Sequence, residues 1–398
     1  MRRDADGTGS MAYYLIQEAG ALVKAGMRLQ AVVTSRAEER FCGKRPLPEV
    51  SARSQIKTER KAECIMYNSK IYSHGYIGTY HSEESRGVYH FTFNEKNGQM
   101  TEPELFYETE NAKWVTKNGG LLVFSMRKEG HAGTCFLRLR DGKADYAYEV
   151  LEERTAPCYI LQEGEFVCTA NYHEGTVMVY SVKDKKPDIV ARIENGEEAG
   201  CHQILIHGQD MMVPCLEQDK IRIFDMDNGF ALSGEIKFPE GSGPRHGVFN
   251  REHTKLFVVS ERSNELFIFK VRGREFSLEQ ILPIYLDGGK TAAAAAIRLT
   301  SDERFLYISV RGQDILTVAD VRGSRAKVIQ HVPCGGVHPR DIILSREEGF
   351  LLAANRFGGG IVSMERDRES GLIGEIRSRI HIQEGVSVLL EEQEGSYV

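Results

Sequence analysis

His202, Arg245, His246, Glu261, Arg311, Arg340 and Arg356 bring together imidazole and carboxylate groups, which move protons, and guanidiniums, which hold anions or polarise carbonyls. Their spacing is regular. Glu261, Arg311 and Arg356 each stand three residues before a β-rich run, opened by Asn264, Asp314 and Gly359, and Tyr172 and Leu216 hold the same place before Gly175 and Asp219. A second set lies further upstream of the same runs: Pro157-Cys158, Cys201-His202, Pro244-Arg245-His246 and Pro339-Arg340. The segment Gly241 to His246, Gly-Ser-Gly-Pro-Arg-His, offers backbone N–H groups, a guanidinium and an imidazole together, a combination suited to an anion. Asn171, which closes the apolar run from Phe166, is taken with His246, Arg340 and Arg356 as a substrate contact. A carboxylate between two guanidiniums also has a structural reading, a salt-bridge ring that holds repeats together. His202 alone reads as a semi-buried packing histidine, and its placement beside the charged ring turns that reading toward catalysis.

The elements that position these residues form an internal repeat. Short β-rich runs open at Gly87, Gly133, Gly175, Asp219, Asn264, Asp314 and Gly359, about 45 residues apart, and most follow another apolar run such as Leu121 to Ser125 or Phe305 to Arg311. Strand, tight turn and strand recurring at this period, without helical periodicity, predict an all-β seven-bladed propeller. Residues at one phase of different blades then emerge on one face of the disc, so the two sets above converge near its central channel. Asn97-Gly98, Asp141-Gly142, Asn195-Gly196 and Asp227-Asn228-Gly229 read as turns. The propeller is placed at residues 66–398. Residues 1–65 form a non-propeller N-terminal extension of unassigned role, with a helical-looking stretch from Met11 to Arg28 and a basic stretch from Ser35 to Lys61. Because Met66 precedes the first strand, Ile71 to Tyr80, the extension reads as an upstream frame joined to the gene, or as a docked or disordered tail.

Composition removes several function classes. A net charge of −6 leaves no general footprint for nucleic acid or an acidic membrane. No apolar run is long enough to span a bilayer, and the first residues lack the apolar core of a secretory signal. The eight cysteines contain no CxxC pair, which argues against a zinc site or a disulfide framework and for a reducing, cytoplasmic compartment. His202 and Glu261 supply only two ligands beside repelling arginines, so no metal is expected. No cofactor is expected either, since GxSxG, GxxxxGK[ST] and HExxH are absent and Gly358 to Gly360 is a turn between strands. The remaining histidines, among them His74, His90, His207 and His253, share no phase and read as surface or packing residues.

At the residues singled out, the sequence resembles the lactonase family of seven-bladed propellers, in particular the bacterial propeller-type 6-phosphogluconolactonases. Gly200-Cys-His-Gln, Val213 to Ile221, Gly243-Pro-Arg-His-Gly-Val-Phe, Ser260-Glu-Arg-Ser-Asn and Tyr76-Ile-Gly-Thr-Tyr carry the likeness. It runs from about residue 70 to the end and is strongest over 155–365. Blades one and two match weakly beyond the opening strand, Ser260 stands where the family has Asn, and the N-terminal extension is foreign to the pattern. The resemblance implies metal-free hydrolysis of 6-phospho-D-glucono-1,5-lactone to 6-phosphogluconate in the pentose phosphate pathway, with His202, Arg245, Arg311 and Glu261 as site residues. The family also has relatives similar to fungal carboxymuconate lactonising enzymes, so an enzyme acting on another sugar or muconate lactone is the first alternative.

Such hydrolysis needs a base for water, a stabiliser for the oxyanion and an acid for the departing ring oxygen. His202 or Glu261 is the base, and Arg245 and Arg311 share the carbonyl and the phosphate, with the division open. The expected partner is a small sugar-phosphate lactone, and the expected state is a monomer or weak homo-oligomer. A non-catalytic propeller that binds a protein would instead show broad aromatic and apolar patches at its blade tops, where this sequence places charges.

Overall fold

The third strand of each blade opens where the sequence repeat opens, for example at Thr176, Glu265 and Gly360. A computed structural model describes residues 71–183, 186–286 and 293–391; the expectations for residues 1–65 lie outside the described residues. Seven sheets of four antiparallel strands make up the propeller. Six of them use consecutive strands. Blade 1 combines Tyr72–Thr79, Gly87–Asn94 and Glu104–Glu108 with Gly385–Leu390 from the far end of the chain, which closes the ring. The innermost strands of blades 2 to 7 are Val115–Asn118, Tyr159–Glu163, Leu205–His207, Pro244–Phe249, Ala293–Leu299 and Val337–Leu344.

Burial explains why the middle strands read as continuous apolar runs. Both faces of Phe305–Arg311 pack against adjoining blades and all its residues are buried, whereas the outermost strand Asp188–Glu194 is largely exposed. The core is therefore a set of seams between blades. Phe257, Val259 and Ile268 of blade 5 pack on Leu306, Ile308 and Val310 of blade 6, and Ile77, Phe91 and Phe93 of blade 1 pack on Leu352, Ala354 and Ile361 of blade 7. Each seam fixes one blade against the next, so residues from different blades are held in register around the channel.

The turn chemistry holds at Asp141-Gly142, where φ values of 52° and 72° close the hairpin between Arg140 and Lys143. Gly142 has open space where a Cβ would go, so Gly142→Ala should cost only the left-handed backbone penalty, about 1 kcal/mol. Gly175 differs. Its φ is 66° and a Cβ there would lie 1.9 Å from the Gly196 carbonyl oxygen, so Gly175→Ala must move backbone as well. Urea unfolding of the two variants should therefore show the larger loss at Gly175; equal losses would contradict the placement of the Gly196 loop.

Two irregularities position site residues. The pairing register shifts between Pro244 and His246 in blade 5 and between Pro339 and Asp341 in blade 7, leaving Arg245 and Arg340 as the extra residue of a β-bulge. A bulge re-aims a side chain, and the preceding proline has no N–H to lose from the ladder. The sequence places both motifs ahead of the innermost strands; the structure puts them within those strands, because pairing resumes across each bulge.

Candidate active site

Glu261 follows the strand Lys255–Ser260, and its backbone N–H is fixed by the Gly243 carbonyl at 2.7 Å. Its Oε2 accepts from two guanidiniums, Arg245 through Nε at 2.8 Å and Arg311 through Nη2 at 2.5 Å. Backbone carbonyls brace both arginines: Arg245 Nη1 donates to Ala295 at 2.5 Å, and Arg311 donates to Ala293 and Ala294 at 3.0 and 3.2 Å. Burial alone would raise the Glu261 carboxyl, but the Arg245 and Arg311 charges outweigh it and hold the pKa below its ordinary value. Arg245 is 1% exposed, and burial, with Arg311 adding repulsion against the pull of Glu261, brings its pKa down to about 9, so it stays cationic at neutral pH.

Two histidines lie behind this brace. His246 Nε2 is 3.2 Å from His202 Nδ1 and 3.4 Å from Arg245 Nη1. A guanidinium can only donate, so the assignment that suits both contacts makes His246 Nε2 the acceptor and puts a proton on His202 Nδ1. The lone pair of His202 is then on Nε2. Burial, followed by the Arg245 charge, pulls both imidazoles well below their ordinary pKa, so both are neutral at pH 7. Tyr172 packs edge-on against His202 with ring centroids 5.7 Å apart, and Trp114 and Tyr159 pack edge-on against His246. A pocket lined by Lys113, Trp114, Cys158, His202, Arg245, Arg340 and Val386 opens over this group. Among the described residues no three His, Cys, Asp or Glu side chains converge as metal ligands, and no helix is long and apolar enough to cross a membrane.

The profile of the family described as "Lactonase, 7-bladed beta-propeller" matches residues 74–390. The chain belongs to that family. Its relatives include a 6-phosphogluconolactonase of Bacillus subtilis, 28% identical over 338 residues that cover 79% of this chain and 97% of that protein. A crystal structure from Lactobacillus plantarum superposes with a TM-score of 0.75 at 24% identity, covering 81% of this chain and all of that one. The periplasmic gluconolactonase of Pseudomonas aeruginosa superposes at 0.72 with 20% identity, covering 80% and 99%. These two likenesses show the fold.

In this lactonase, His202, Arg245, His246, Glu261 and Arg311 form one connected group, with Arg340 at the same pocket. His246 is 1% exposed, contacts His202 at 3.2 Å and, unlike the equally buried Arg245, does not line the pocket, so the substrate contact suggested by the sequence has no open face there. Arg356 is paired with Glu384 at 2.7 Å and lies 4.2 Å from the Tyr80 ring centroid. Asn171 is elsewhere: its amide is consumed by Glu153, Thr155 and Glu174, and its side chain is fully buried. Sequence reasoning missed Lys113, Trp114 and Tyr80. Lys113-Trp114 stands ahead of Gly133 at nearly the spacing that separates His202 from Asp219, so the same count carried back to blade 2 finds it. Tyr80 follows its strand as Glu261 follows Lys255–Ser260, but the longer loop before Gly87 hides it from a count made backward.

Proposed function

We propose that this lactonase hydrolyses 6-phospho-D-glucono-1,5-lactone to 6-phosphogluconate, with His202 as the general base. The observation that carries the reading is a buried, neutral imidazole whose Nε2 has no hydrogen-bond partner among the described residues, set beside a guanidinium in one pocket. Glu261 is the weaker candidate for the base, since two arginines already occupy its Oε2. Its part is to hold Arg245 and Arg311 in place. The Bacillus subtilis relative supports the substrate.

The steps balance on these residues. His202 Nε2 takes one proton of a water while the water oxygen bonds to the lactone carbonyl carbon. Charge builds on the former carbonyl oxygen, where Arg245 can donate: its Nε and Nη1 are engaged, and its Nη2 has no partner among the described residues. As the tetrahedral centre collapses, the bond to the ring oxygen breaks and the imidazolium returns its proton to that oxygen. The products are a carboxylic acid and a hydroxyl on one chain, and His202 is neutral again. The six described cysteines are all free thiols, as suits a reducing compartment.

The test is hydrolysis of freshly made 6-phosphogluconolactone by the full chain, coupled to NADP reduction by 6-phosphogluconate dehydrogenase, with the spontaneous rate subtracted. Acceleration over buffer is expected. A folded protein no faster than buffer on this substrate would end the reading.

A further inference from the structure

The pocket holds two cations to which the hydrolytic steps give no task. Lys113 precedes the innermost strand of blade 2, and Arg340 sits on the bulge of blade 7. Both approach the ring of Tyr80, from the intervening blade 1: Lys113 Nζ lies 5.9 Å and Arg340 Cζ 5.6 Å from its centroid. Arg245, Arg311 and Arg356 all have carboxylate partners, Glu261 or Glu384. Neither Lys113 nor Arg340 forms an ion pair among the described residues. Of the side chains lining the pocket, Lys113, Arg245 and Arg340 are cationic and none is acidic. Cations gathered in one partly enclosed place repel one another, and a bound anion relieves that repulsion.

We propose that Lys113 and Arg340, gathered at the Tyr80 ring, form the subsite for the substrate's phosphate. This rests on the lactone reading above and gives its substrate class a residue-level cause. A guanidinium presents a planar fork to two phosphate oxygens, while an ammonium adds a compact charge from any direction. Because they come from different blades, 7 and 2, each can supply its own contact to one phosphate at the pocket both line. Arg340 reaches the pocket by the same proline-and-bulge device that aims Arg245, so one structural element serves both ends of the ligand. Arg245 and Arg311 are then released from phosphate binding and left to the carbonyl.

The chain's single tryptophan, Trp114, adjoins Lys113 and lines this pocket, so it reports on binding without catalysis. The full-length protein is titrated with 6-phosphogluconate and, separately, with gluconate, following tryptophan emission and, in parallel, heat by calorimetry. Saturable binding of 6-phosphogluconate is expected, with gluconate much weaker. Lys113→Met and Arg340→Met should each weaken 6-phosphogluconate binding by about 10- to 100-fold, the loss of one charge-assisted contact, and Lys113→Arg should recover part of it. Each variant is checked by thermal melting. Unchanged affinity in both methionine variants, equal binding of gluconate, or no binding of either by the wild type would overturn the subsite. The hydrolysis assay judges the lactonase reading separately, since an enzyme that cleaves the phosphorylated lactone with the same KM after both substitutions has the activity without this grip.

Discussion

His202→Ala should lower kcat by about 10²- to 10⁴-fold, the usual worth of a positioned general base, and leave KM nearly unchanged. The expectation separates two carboxyl- and imidazole-based mechanisms that share every other residue. If Glu261 took the proton, removing His202 would cost packing against Tyr172 and His246 and little chemistry. The pH profile gives the same answer by another route. His202 has its pKa pulled well below 6.5 by burial and then by Arg245, so the reactive neutral form persists through pH 6.5. Wild-type kcat should therefore show no acid limb at the ordinary histidine value and should fall only as pH drops through the depressed one. An inflection at 6.5 would mean a solvated histidine acts in place of His202.

The repeat made this site legible because a propeller converts sequence phase into position around a channel. Glu261 and Arg311, which are 50 residues apart in the chain, share an ion pair because each ends or follows the second strand of its blade. Phase fixes a residue's place but not its environment: Asn171 occupies a promising strand end, yet its amide satisfies Glu153 and Glu174. Counting also fails where a loop changes length, as between Tyr80 and Gly87. The two bulges were not legible at all, since whether pairing resumes after Pro244 or Pro339 depends on the neighbouring strand, not on the local sequence. His246 shows the remaining gap: its contacts with Arg245 and His202 and its depth beneath the pocket are not properties of the Gly-Pro-Arg-His motif itself.

The second large effect is expected at Glu261→Gln, and it falls on both stability and rate. Glutamine keeps the shape of the side chain and can still accept a hydrogen bond, so what is lost is charge. Arg245, 1% exposed, would be left with Arg311 as its nearest ionised neighbour and no anion to offset either. Breaking a fully buried pair typically costs about 3–5 kcal/mol. The Glu261 side chain is 23% exposed, so part of its charge is already solvated, and a loss of about 2–3 kcal/mol is the appropriate expectation. Activity should fall by on the order of 10²-fold, because Arg245 is no longer held where the oxyanion forms.

The pH dependence identifies charge as the cause. A glutamate whose folded pKa is depressed adds stability that is fully present above its ordinary value and disappears as pH falls through the folded value. Glutamine has no such limb. The stability gap between wild type and variant, read from urea unfolding, should therefore be widest near neutral pH and narrow in acid, while added sulfate should narrow it at neutral pH by standing in for the missing carboxylate. A gap that stayed constant across pH and salt would assign the loss to altered packing at the Gly243 turn, and Glu261 would then be a structural brace whose charge the two arginines do not need.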